Sequence, residues 1–325
     1  MVPSDMPPIA RLGFGCNSLL GPKPRSEGRA LLETAFDAGV RHFDVARGYS
    51  SGDAEGLVGE FLAGRRDQVT VTTKFGLQPP SGGLAKSRWI KDVARRLMRI
   101  SPGLRRMLGK RSRQMVQPGQ FAPDQAIASL AVSLAELKID RIDTFLLHEP
   151  APTDCTDELR DALDGAVRDG KIGRFGVGTG IDHALTIAAD RPAFADVLQI
   201  PASVVDRNLD RLPALPPSST VITHGAISAP FTRLRTYLAA HPEVAKSWSD
   251  SLTLDLADPA TLAPLMLAYS VASNPGGIVL FSSTKPATIR SNVRAILDRR
   301  FPPDQLAQFA TLVAEHRIVI DQTSL

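Results

Sequence analysis

The chain predicts an α/β protein built as a (β/α)8 TIM barrel. Short apolar runs alternate with segments of helical period, and the runs number eight. The length, 325 residues at 43% hydrophobic content, is enough to fill one large barrel core.

Taken in order, the first strand is RLGFGC from Arg11, followed by the amphipathic segment SEGRALLETAFDAG, which opens on Ser26 and closes on Gly39. HFDV from His42 is the second strand. QVTVTTKF from Gln68, rich in β-branched residues, is the third. The helix DQAIASLAVSLAEL then leads to the fourth strand, RIDTFLLH from Arg141. TDELRDALDGAVRDG, starting at a capping Thr156, leads to the fifth, GRFGVG from Gly173. DVLQI from Asp196, STVITH from Ser219 and GGIVLF from Gly276 complete the eight, and PATIRSNVRAILDRR follows the last. LPALPPSS from Leu212 reads as a Pro-rich turn between barrel units. No internal repeat or long linker divides the chain, so residues 1–325 are expected to form one domain. Three long βα segments interrupt the regular spacing: about 77–122, Asp206–Pro216 and Ala229–Asp258.

A net charge of +4 is mild for this size and argues for neither nucleic acid nor a membrane as the main partner. Cys16 and Cys155 are too far apart for a CxxC motif, which removes zinc-site and disulfide-framework readings. The opening MVPSDMPPIA has no basic stretch followed by an apolar one, and no run of about 18 apolar residues occurs. A soluble, cytoplasmic protein without a transmembrane segment is the expectation.

In such barrels the reacting groups stand where strands end and βα loops begin. Asp44 closes the second strand, Tyr49 stands in the loop after it, Lys74 closes VTVTTK, and His148 closes TFLLH. A phenol is a weak acid at neutral pH, and a nearby ammonium stabilises its phenolate and lowers its pKa. Lys74 can serve Tyr49 in this way, with Asp44 as the counter-charge that keeps the lysine protonated. His148 can offer an N–H to a carbonyl oxygen. The four together suit proton donation to a polarised C=O that receives hydride.

With these residues the sequence resembles the aldo-keto reductases: FDVARGYSSGDAEGLVGEFL carries Asp44 and Tyr49, TTKFG carries Lys74, and LLHEP carries His148. SLAELKIDRIDTFLLH, GKIGRFGVGTG and FSSTKPATIRSN are similar to further segments of that family. The resemblance implies a barrel that binds NADP(H) without a metal and without a GxGxxG fingerprint, passing hydride to an aldehyde, ketone or sugar. Tyr49 would be the proton donor, tuned by Lys74 and Asp44, with His148 orienting the carbonyl. By the same resemblance, cofactor contacts fall on Gly15 and Cys16, on Thr179 and Gln199 for the carboxamide, and on His224 for stacking. Ser282, Ser283, Thr284, Lys285 and Arg290 fall at the 2′-phosphate and Asn292 at the adenine. Gly178 and Thr179 stand where the family commonly has a Ser-Asn pair. NADP(H) is expected over NAD(H), since the 2′-phosphate needs the basic and hydroxyl cluster that this segment supplies.

The segment between the third strand and its helix is basic. From Lys86 to Arg113 there are eleven Lys or Arg and one acid, Asp92, a net +10 that leaves −6 for the rest. Trp89, Val93, Leu97 and Ile100 recur at helical spacing. A packed helical hairpin with a solvated basic face is the simpler reading; an electropositive lid, or a docking surface for an acidic partner or anionic membrane, is the functional one. Two other activities compatible with the same residues are an aldose 1-dehydrogenase using NAD(P)+ and a regulatory subunit that senses NADP(H).

Overall fold

The computed structural model describes residues 7–20, 24–77 and 119–322, so the basic stretch Lys86–Arg113 lies outside the described residues. Eight parallel strands close into a barrel in sequence order: β1 (Leu12–Gly15), β2 (His42–Asp44), β3 (Thr70–Phe75), β4 (Ile142–His148), β5 (Ile172–Gly178), β6 (Val197–Pro201), β7 (Thr220–His224) and β8 (Ile278–Phe281). β1 completes the ring, with Gly13 opposite His42 on one side and Leu280 on the other. All eight predicted strands are present.

Inside the barrel, Leu146, Val197, Ile222, Ile278 and Leu280 form a buried apolar plug. Gly13 belongs to the same layer, where a Cβ would stand 2.5 Å from Leu280 Cδ2 and 2.8 Å from His42 Cδ2. Outside, the helices bury their apolar stripes on the strands. In the helix Arg25–Asp37 the buried positions are Gly28, Leu31, Leu32 and Ala35, and the helix Asp157–Arg168 buries Leu159, Leu163 and Ala166. Thr156 caps the latter by accepting from Leu159 N at 3.2 Å.

The expected alternation fails after β6. No α-helix separates it from β7; the chain makes only the 3-10 turn Asn208–Arg211 before an irregular stretch. Pro213, Pro216 and Pro217 explain this, since each removes a helix donor and restricts its neighbour. Conversely, Ala229–Asp258, expected as a long loop, is largely helical: Ser228–Ala240 and Pro242–Leu252 pack Tyr237 against Trp248 and His316. Its Leu and Ala content buries a stripe that includes Leu234, Leu238 and Leu252.

The roots of the insertion are held together. Phe121, on the returning strand of chain, packs edge-on to Phe75 at 5.9 Å and covers Gly76, whose φ of +107° and lack of a Cβ permit the contact. Gln120 N donates to Gly76 O at 3.4 Å. The segment therefore leaves and rejoins the barrel at the carboxyl end of β3, within reach of the Tyr49 loop. Among the described residues no helix is long and apolar enough to cross a membrane, and no cluster of His, Cys, Asp and Glu is fit to hold a metal.

Candidate active site

Asp44 sits at the carboxyl end of β2, opposite Thr72, and Lys74 lies two residues further along β3 on the same face. Both are buried, and Lys74 Nζ meets Asp44 Oδ1 at 2.6 Å. An ammonium has three donors, and all three are used. The second goes to Val45 O at 3.2 Å and the third to Tyr49 Oη at 3.3 Å. Asp44 Oδ2 accepts from Gln199 Nε2 at 2.7 Å, so the carboxylate is held from both sides.

Tyr49 opens the 3-10 turn Tyr49–Gly52, anchored by its N–H to Ala46 O at 3.0 Å. Its ring stands edge-on to His148 at 5.8 Å, with 83° between planes. Because Lys74 donates to the phenolic oxygen, the Tyr49 proton is left to point toward the cavity. His148 Nδ1 is buried without a hydrogen-bond partner among the described residues. A neutral imidazole therefore keeps its single proton on Nε2, since an N–H at Nδ1 would go unpaired.

Burial, reinforced by the Lys74 charge and opposed by Asp44, lowers the His148 pKa to about 3. Burial would also lower the Lys74 pKa, but the Asp44 carboxylate and then Tyr49 reverse this and raise it. Tyr49 departs from the sequence-based expectation. Burial raises its pKa, and the opposing effect of Lys74 is not enough to bring it below the ordinary value. The phenol is thus held protonated at neutral pH.

Asp44, Tyr49 and His148 border a cavity of about 340 Å³ lined also by Gly15, Asn17, Glu149, Gly178, Gln199, His224 and Ser282, and by the loop Gly225–Ser228, while Lys74 lies buried behind Asp44 and Tyr49. Among the predicted cofactor residues, Gly15, Gln199, His224 and Ser282 reach it. Cys16 does not: its side chain is buried and its thiol lies 3.6 Å from Phe14 O. Thr179 is also turned away, with its hydroxyl 3.4 Å from Glu149 Oε2 and from Pro150 O. Gly178 fills the role of making room, because a Cβ there would stand 3.0 Å from Gln199 Oε1. Ser283, Thr284, Lys285, Arg290 and Asn292 lie beyond the cavity, along the start of the helix Pro286–Leu297. Ser283 Oγ accepts from Lys285 N at 3.1 Å; Thr284, Lys285 and Arg290 are exposed, and Asn292 is buried.

Asn17, Glu149 and the Gly225–Ser228 loop are cavity residues that sequence reasoning missed. Glu149 had a signal, since it directly follows His148, but its left-handed φ of 56° did not. That conformation is held by Glu149 N donating to Gly178 O at 2.7 Å.

The profile of the Aldo/keto reductase family matches residues 11–212, more than half of the chain. A D-threo-aldose 1-dehydrogenase from Pseudomonas sp is 31% identical over 200 residues, 59% of this chain and 56% of that protein. A 6-dehydroglucose reductase from Novosphingobium aromaticivorans is 28% identical over 156 residues, 45% of this chain and 40% of that protein. The chain thus spans about half the length of these sequence relatives. Among solved structures, the glycerol dehydrogenase of Gluconobacter oxydans has the same fold at a TM-score of 0.67 and 18% identity, covering 97% of this chain and 95% of that one. An aldo/keto reductase from Klebsiella pneumoniae in complex with NADP and acetate gives 0.63 and 22%, covering 93% and 91%.

Proposed function

The chain belongs to the aldo/keto reductase family, and from that premise we propose that it is an NADP(H)-dependent oxidoreductase interconverting a carbonyl and an alcohol on a small aldehyde, ketone or sugar. The observation that carries this reading is the buried relay Gln199–Asp44–Lys74–Tyr49, which ends at the cavity wall beside His148.

In reduction, Tyr49 donates its proton to the carbonyl oxygen as negative charge develops there. The phenolate left behind faces the Lys74 ammonium, which Asp44 holds charged and in place. His148, neutral by burial, donates from Nε2 to the same oxygen and fixes its position. Each group is oriented before substrate arrives, so little reorganisation is needed at the moment of reaction.

A nicotinamide cofactor fits the residues present. Gln199 gives its amide N–H to Asp44 and leaves Oε1 beside the space that Gly178 keeps open, where a carboxamide could donate. His224 and Ser282 line the same cavity, and Ser282 leads to the exposed Lys285 and Arg290 at a helix start, suited to a 2′-phosphate. When bound, the nicotinamide supplies the hydride. The Klebsiella aldo/keto reductase is in complex with NADP, which supports the same cofactor here.

A second reading, oxidation of an aldose at its anomeric carbon, is favoured by the 31% identical Pseudomonas relative. The same residues then run in reverse, with Tyr49 as base. The test is turnover of an aldehyde, ketone and sugar panel with NADPH or NADH, and of aldoses with NADP+ or NAD+. We expect NADP(H)-dependent turnover of at least one class, with NAD(H) weaker. Tight NADPH binding without any turnover would instead support a redox-sensing subunit.

A further inference from the structure

A second cavity, of about 360 Å³, opens at the other end of the barrel, below the apolar plug of Leu146, Val197, Ile222, Ile278 and Leu280. The amino end of such a barrel is ordinarily packed with branched apolar residues. Here the floor is polar. His42, Thr72, Thr144 and Thr220 are all buried there, and Arg174 joins them from β5. Polar groups in a core layer cost stability unless each is paired, so their partners can be traced one by one.

His42 is satisfied: its ring nitrogens meet Thr70 Oγ1 at 2.9 Å and Thr72 Oγ1 at 3.3 Å. Arg41 is also engaged, donating to Phe36 O and Val40 O with its guanidinium over the Phe36 ring. Asp143 accepts from Val71 N at 2.7 Å and pairs with Arg66 at 2.9 Å. Two groups remain. Arg174 donates to Thr220 Oγ1 at 2.8 Å and forms no ion pair among the described residues; burial lowers its basicity, opposed in part by the more distant Asp196 and Asp143 carboxylates. Thr144 is 96% buried by its exposure of 4%, lines the cavity, and has no side-chain partner among the described residues.

We propose that this amino-end cavity is a binding site for a small organic carboxylate, gripped by the Arg174 guanidinium and the Thr144 hydroxyl, with Ala10, Val69 and Ile278 against its hydrocarbon part. The guanidinium fork matches a carboxylate. The Asp67 and Asp143 carboxylates in the same lining disfavour a dianion, which favours a singly charged carboxylate over the dianion of phosphate. The plug separates this site from the cavity of Tyr49, so the two fill independently.

The test is calorimetric titration of the full chain with butyrate and, separately, inorganic phosphate, each with and without saturating NADPH. Parent protein should bind one butyrate, unaffected by NADPH and in preference to phosphate. Arg174→Gln should weaken binding roughly ten- to hundredfold, the worth of a charge-assisted hydrogen bond, and Thr144→Val, close to isosteric, should weaken it less. Tyr49→Phe should leave it unchanged. The proposal is overturned if butyrate does not bind, if NADPH displaces it, if phosphate binds as tightly, or if both floor variants bind like the parent. Should Arg174→Gln fail to fold, Thr144→Val and the NADPH competition decide the matter.

Discussion

Lys74 uses every donor it has, on Asp44, Val45 and Tyr49, and this exhaustion directs the Tyr49 proton outward. The four reacting side chains were legible in the sequence because each closes an apolar run or stands in the loop directly after one. Their support was not. Gln199 reaches Asp44 across 155 positions of sequence, and nothing in DVLQI marks its amide as a partner for an acid. The direction of the Tyr49 pKa shift was not legible either, because the sequence shows the nearby charge but not the burial that outweighs it. His148 gives the sharper pH test. Its pKa of about 3 lies below the ordinary 6.5, so the ring protonates only in strong acid. Tyr49, raised above 10, loses its proton only in strong base. The kcat/KM for reduction should therefore be flat from about pH 5 to 9. A limb near pH 6.5 that disappears in His148→Gln would show that the imidazole is protonated in the working range.

The strands were readable from apolar runs, and the helices Arg25–Asp37, Pro123–Leu137, Asp157–Arg168 and Pro286–Leu297 from their period and end signals. What periodicity could not show was which unit would lack a helix and which long segment would form two. Those outcomes depend on prolines after β6 and on the packing of Tyr237 with Trp248 and His316. Close approach between elements is also invisible in a single chain. Gly59, on the helix Ala54–Leu62, lies so near the end of Pro123–Leu137 that a Cβ would stand 2.4 Å from Glu136 O and 2.7 Å from Leu137 O. Backbone cannot yield as a side chain does. Gly59→Ala should destabilise the fold by about 1–3 kcal/mol despite its better helix propensity, read as a lower urea midpoint; an unchanged or higher midpoint would contradict the packing described.

The barrel as a whole is divided by its plug into two ends with different chemistry. At the carboxyl end the buried relay, the neutral His148 and the cavity form one arrangement, rooted beside the point where the basic segment leaves β3. The amino end carries the polar floor of Arg174 and Thr144. The charge imbalance, +10 between Lys86 and Arg113 against −6 elsewhere, was legible from sequence alone; its bearing on substrates depends on residues that lie outside those described. In reduction the proton comes from Tyr49. Tyr49→Phe removes one hydroxyl and preserves the ring that packs beside His148. Its measurement is steady-state NADPH-dependent reduction of the best carbonyl found for the parent, beside NADPH affinity by fluorescence. With Tyr49 as the proton donor, kcat should fall by about 10²-fold or more while NADPH affinity is kept. Parent-like kcat in Tyr49→Phe would contradict it.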